Sequence, residues 1–133
     1  MSGYLDANIP LRYLTGDPPE LAAQAARVID GEEELWLTDG AIAEIAYVLI
    51  GNYGVPRAQA VDALVGLIQR ENIRLYAMEK SLVVQALSFC RPSGRVSFAD
   101  ALLWACVRSS GVHRMYTLDV RFPTLGVELR PEP

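Results

Sequence analysis

Histidine occurs once in this chain, at His113, and lysine once, at Lys80, beside eleven arginines. One imidazole excludes any mechanism that needs two within a single chain, and any metal site built on several histidines. Cysteine is nearly as scarce. Cys90 and Cys106 lie far apart in apolar stretches and form neither a CxxC nor a Cys/His zinc pattern, so they read as reduced thiols packed like small hydrophobes. No apolar run approaches the roughly 20 residues of a membrane span; the longest are IAYVLI and ALLWACV. The opening MSGYLDANIP has no basic leader and meets an acid at Asp6, which argues against a signal peptide and for the cytoplasm. Positive charge is short as well. A net charge of −4 argues against a protein that grips nucleic acid by broad phosphate neutralisation. The charge is uneven, however. Residues 1–44 hold nine acids against Arg12 and Arg27, whereas six arginines face three acids between Arg91 and Arg130. A local basic rim and a merely solvated surface both fit that excess.

What is present is an ordinary globular composition, 51% apolar and 21% charged, over a length that suits one domain spanning residues 1–133. Short apolar strands alternate with helices from end to end. GYLD, ELWLT, IRLYAM, HRMYTLD and VELR read as strands. ANIPLRYLTG, DPPELAAQAARVIDG, DGAIAEIAYVLIGNYG, PRAQAVDALVGLIQREN, EKSLVVQALSFCRPSG and the stretch from Ser97 to about Ser110 read as helices, punctuated by proline at their starts and glycine at their ends. That order predicts a parallel sheet with helices on both faces, since parallel strands need crossover connections. In such sheets ligands bind beyond the carboxyl ends of strands. Asp6 and Asp119 each stand at such an end, so one sheet edge is expected to carry both. Trp36 and Trp104 read as core residues.

Four acids sit on apolar elements, and each has a plain explanation by itself. Asp6 can cap the helix that follows it. Asp119, in YTLDVRF, can serve a turn. Glu44 is the only charge between Asp39 and Arg57; unpaired burial would be costly, so it faces solvent, a partner or a metal. Ser97 and Asp100 match the S-x-x-D capping box. Taken together the four suggest more. Unit charges about 4 Å apart repel by about 4 kcal/mol at an effective dielectric near 20, so a cluster of them must hold protons or a cation. Hard oxygen donors without histidine or thiolate favour Mg²⁺ or Mn²⁺ over zinc, and the chemistry that fits is phosphodiester hydrolysis.

YLDANIPLRYL, AIAEIAYVL, SFADALLWA and YTLDVRF, in that order and spacing, resemble the PIN domain and, at this short length, the VapC toxins of bacterial toxin–antitoxin pairs. The resemblance implies a three-layer α/β/α fold around a mostly parallel sheet of four to five strands. It also implies an acidic Mg²⁺ or Mn²⁺ site and endoribonuclease activity. On the matching positions, Asp6, Glu44, Asp100 and Asp119 are the expected metal-binding acids, and Asn8 matches a polar position that supports the site. Thr117, two residues before Asp119, offers a hydroxyl nearby. Where many relatives have a further acid or amide this chain has Arg121, whose fork suits either a phosphate or solvent. The expected partners are an RNA substrate, a cognate antitoxin and a second copy of the chain, with Tyr47 and Tyr53 as candidate interface residues.

Rival chemistries fit less well. A phosphatase of the haloacid dehalogenase kind needs an acid two residues after its nucleophile, where this chain has Asn8; a response-regulator receiver needs an acidic pair and a late lysine. A catalytically idle binding module on the same fold is the stronger alternative.

Overall fold

The computed structural model describes residues 1–133. They form two compact units, Met1–Tyr76 and Ala77–Pro133.

The first unit holds three strands, β1 (Ser2–Tyr4), β2 (Glu34–Leu37) and β3 (Ile73–Leu75), and four helices, α1 (Asn8–Thr15), α2 (Pro19–Ile29), α3 (Asp39–Gly51) and α4 (Arg57–Ile68). The strands pair in parallel in the order β1-β2-β3, with Tyr4 opposite Trp36 and Trp36 opposite Arg74. Strand period decides what is buried. Leu35 and Leu37 on β2 and Ile73 and Leu75 on β3 take the core face, so Trp36 takes the other. This corrects the expectation of a core tryptophan: Trp36 is half-buried, with its ring 6.3 Å from that of Tyr4. On α3 the buried residues Ile42, Ile45, Ala46 and Leu49 recur at helical spacing, which leaves Gly40, Glu44, Tyr47 and Gly51 as the exposed stripe. Thr38 starts this helix by accepting the Ala41 N–H at 3.2 Å.

The second unit holds α5 (Lys80–Cys90), α6 (Phe98–Ser110), β4 (Arg114–Tyr116) and β5 (Glu128–Arg130). β4 and β5 pair in parallel, Met115 opposite Leu129. α5 packs on α6. Trp104 is fully buried between them, its ring edge-on to Phe89 at 4.8 Å. Gly111 ends α6 in the left-handed conformation, at φ 82°, a backbone state that favours glycine. All eleven elements fall where the sequence places them, and every strand pairing is parallel, three strands in one unit and two in the other. Cys90 is buried, Cys106 is half-buried, and neither forms a disulfide.

Candidate active site

In the first unit, Asp6 stands immediately beyond β1. Pairing continues one residue past the strand, through the Leu5 N–H to the Trp36 carbonyl at 2.8 Å. Leu5 and Ala7 are both buried, so Asp6 between them is turned outward. It does not cap α1. Ala7 occupies the cap position without a side-chain bond, and what Asp6 contributes is its backbone carbonyl, which accepts the Ile9 N–H at 3.1 Å. Its carboxylate accepts no hydrogen bond and makes no ion pair, which leaves its oxygens available as donors to a ligand. Asn8 opens α1 and lines a groove with Ile9, Arg12, Leu21 and Val28. Glu44 lies in the second turn of α3, the helix that leaves the carboxyl end of β2. It is exposed, and its carboxylate too is unengaged. The first unit thus presents two unpaired acids, Asp6 just before α1 and Glu44 on α3, and both helices depart from the same end of its parallel sheet.

In the second unit, Asp100 is the third residue of α6. Ser97 performs the capping, its Oγ accepting the Asp100 N–H at 3.0 Å. The return half of a capping box, from the acid to the Ser97 N–H, is not formed. Asp100 is therefore a half-buried carboxylate with no partner of its own, in a turn where the helix dipole favours negative charge. Asp119 differs. It lies in the loop after β4 and is bound into that loop. Its Oδ1 accepts the Arg121 N–H at 2.8 Å, and the Arg121 Nε lies 3.6 Å from the same oxygen. Its own N–H donates to the Thr117 Oγ at 3.0 Å. Thr117 thus shapes the Asp119 turn, and Arg121 faces Asp119. Asp119 also lines a cleft of about 250 Å³ with Thr117, Leu118, Val120, Leu129 and Arg130. Leu118 and Val120, which flank it, are 86% and 89% exposed.

The donor set is one of carboxylates only, and three of the four are unengaged, which suits a hard divalent cation. Within neither unit do three acidic, histidine or cysteine side chains stand together as a ready metal cage. Sequence reading missed one feature of the second unit. The Trp104 Nε1–H and the Arg108 guanidinium both donate to the Leu125 carbonyl, at 2.9 and 3.0 Å. The only sequence signal for it is an aromatic and an arginine four residues apart on one helix face.

No curated protein matches the chain in sequence. Among solved structures it is similar to Mycobacterium tuberculosis VapC20, titled a sarcin-ricin loop cleaving toxin, at 18% identity over 96% of this chain and 97% of that one, with a TM-score of 0.46. The family model of the PIN domain matches residues 3–128. That span includes Asp6, Glu44, Asp100 and Asp119 together with every helix of both units. The chain belongs to the PIN domain family.

Proposed function

We propose that this chain is an endoribonuclease dependent on Mg²⁺ or Mn²⁺, the toxin member of a VapC-type toxin–antitoxin pair, working as a single domain over residues 1–133. The observation that carries the reading is the family match over residues 3–128 combined with an acid at each of the four motif positions, three of them with carboxylates that nothing else in the protein engages. Asp6, Glu44, Asp100 and Asp119 are the proposed metal-binding residues. A divalent cation held there supplies Lewis-acid polarisation of a phosphoryl oxygen and lowers the pKa of water. The remaining roles fall to side chains. Glu44, on a rigid helix, orients the attacking water. Asn8, at the start of α1, offers an amide to the RNA backbone. Arg121, 61% exposed, offers its guanidinium to a phosphate. Attack in line with the departing 3′ oxygen, which takes its proton from solvent, leaves a 5′ phosphate and does not use the 2′-OH.

Support for a toxin comes from the four motifs; an antitoxin, a homodimer and a cytoplasmic setting are proposed with it. No helix is long and apolar enough to cross a membrane. The test is cleavage of a broad RNA panel by purified protein with Mn²⁺. The expected result is cleavage that Asp6→Asn and Asp100→Asn abolish, and that persists when the nucleotide at the cut carries deoxyribose. An intact panel would favour the idle binding module.

A further inference from the structure

We propose that Arg108 is a positioning residue that fixes Asp119 relative to Asp100 by tethering the β4–β5 loop to α6; this rests on the reading of those two acids as metal-binding residues. Asp100 and Arg108 lie on the same helix, in its first and last turns. Asp119 lies on the loop that runs from Thr117 to Val127, and no side chain of a helix bonds its carboxylate. Side chain–backbone bonds join the loop to α6 at the carbonyl of Leu125. Trp104 and Arg108 reach it from successive turns of the helix, at 2.9 and 3.0 Å.

The arginine is held on two sides. Its guanidinium carbon lies 5.3 Å from the centre of the Trp104 ring, within the range of a cation–π contact. On the other side is Gly126, at φ 71°, where a Cβ would stand 2.5 Å from Arg108 Nη1 and 2.7 Å from Cζ. The left-handed backbone and the close approach both call for glycine there. Gly126 sits in the turn closed by the Val127 N–H to the Thr124 carbonyl at 3.0 Å. Phe122, buried at 3% exposure, fastens the same loop by packing, and its N–H bonds the Asp119 carbonyl at 3.2 Å. Loop sites are less exact than helix sites unless something outside the loop locks them. Arg108 supplies a lock of defined geometry, and it touches neither acid.

The test uses the full chain. Mn²⁺ affinity is read by calorimetry, amide exchange over residues 118–127 in metal-free protein, and unfolding by heat. Arg108→Met keeps the length and the packing on Trp104 but removes the donor. It is expected to weaken Mn²⁺ binding about tenfold, the scale of groups that orient metal ligands, and to speed loop exchange, with RNA affinity retained. Arg108→Lys keeps a donor for Leu125 and is expected to recover most of the loss. Gly126→Ala strains a left-handed backbone and takes the space of the guanidinium; it is expected to weaken Mn²⁺ more in the wild type than in the Arg108→Met background, where only the backbone strain remains. Wild-type affinity in Arg108→Met, or equal losses in the Met and Lys variants, overturns the proposal. Should Arg108→Met fail to fold, Gly126→Ala decides, and unchanged affinity there overturns it. A wild type that takes up no Mn²⁺ and cleaves no RNA overturns the nuclease reading itself; one that does both while Arg108→Met matches it overturns only the tether.

Discussion

The two units present their acids in different ways. In the first, Asp6 follows a strand directly and Glu44 stands on a 13-residue helix; both carboxylates are free, and the backbone alone sets where they are. In the second, Asp100 has a helix under it, but Asp119 sits on a loop and is held by Arg121, by Thr117 and, through Leu125, by α6. The difference is that an acid on a helix, or in the tight connection between a strand and a helix, has no partner, whereas the acid in the longer loop has several. Arg121 is then part of its chemistry, since it competes for the carboxylate oxygen it steadies.

The largest expected effect on this contrast is loss of the α6 anchor. Trp104→Ala removes a fully buried ring, its edge contact with Phe89 and its bond to Leu125, and should cost about 3–5 kcal/mol. Ile45→Ala in α3, also fully buried, should cost about 2–5 kcal/mol. Denaturant unfolding followed by far-ultraviolet circular dichroism would read both; the comparison breaks if Trp104→Ala leaves exchange over residues 118–127 unchanged.

Next come the acids themselves. Groups that only orient a ligand are worth about 10–100-fold in metal affinity, so replacing a ligand should exceed about 100-fold. Asp6→Asn and Asp100→Asn are expected to show this in Mn²⁺-dependent RNA cleavage without loss of fold. Asp119→Asn should do the same and also loosen the loop, because it removes the charge that faces the Arg121 guanidinium at 3.6 Å. A variant of Asp6 that destabilises the protein as much as one of Asp119 would erase the difference between the two units.

How far the sequence reached can be judged on particular residues. Pro19, Gly16 and Gly111 punctuate helices by rules that act within one turn, so element order was readable. All four acids were singled out because a lone charge on an apolar element conflicts with its surroundings. Trp36 was misread because strand phase is fixed by Leu35 and Leu37, and a single bulky residue does not reveal which face it takes. The tether was missed for a different reason. Arg108 acts on a backbone carbonyl 17 residues on, and a carbonyl has no side-chain signature. Ser97 and Asp100 were legible as S-x-x-D, but only the structure shows that Ser97 alone caps α6 and that the acid does not return the bond.

The two caps give a smaller and more even comparison. Thr38 caps α3 and Ser97 caps α6, each by accepting one N–H. Thr38→Ala and Ser97→Ala should each cost about 1 kcal/mol. Because Asp100 lies three residues beyond Ser97 while Glu44 lies six beyond Thr38, only Ser97→Ala is expected to weaken Mn²⁺ binding as well. Equal effects of the two on Mn²⁺ would mean that fraying of a first turn does not reach the acid.

The smallest expected effect tests a site away from the acids, in the first unit, where side chains rather than the backbone hold elements together. The Tyr13 hydroxyl donates to Asp30 Oδ1 at 2.8 Å, and Arg70 bonds the same oxygen at 2.6 Å. The hydrogen bond to Asp30, with burial second, raises the Tyr13 pKa above 10.0, against the opposing pull of Arg70. A phenol whose folded pKa is raised stabilises the fold fully below its unfolded pKa and loses that contribution as pH rises through the folded value. Tyr13→Phe should therefore cost at most about 1 kcal/mol, as expected of a solvent-screened network. The gap between wild type and variant should stay constant below about pH 10 and close above it. Denaturant midpoints across pH 8 to about 11 would show this. A gap that widens with pH would mean that Arg70, rather than Asp30, governs the phenol, and that the network is held by the cation alone.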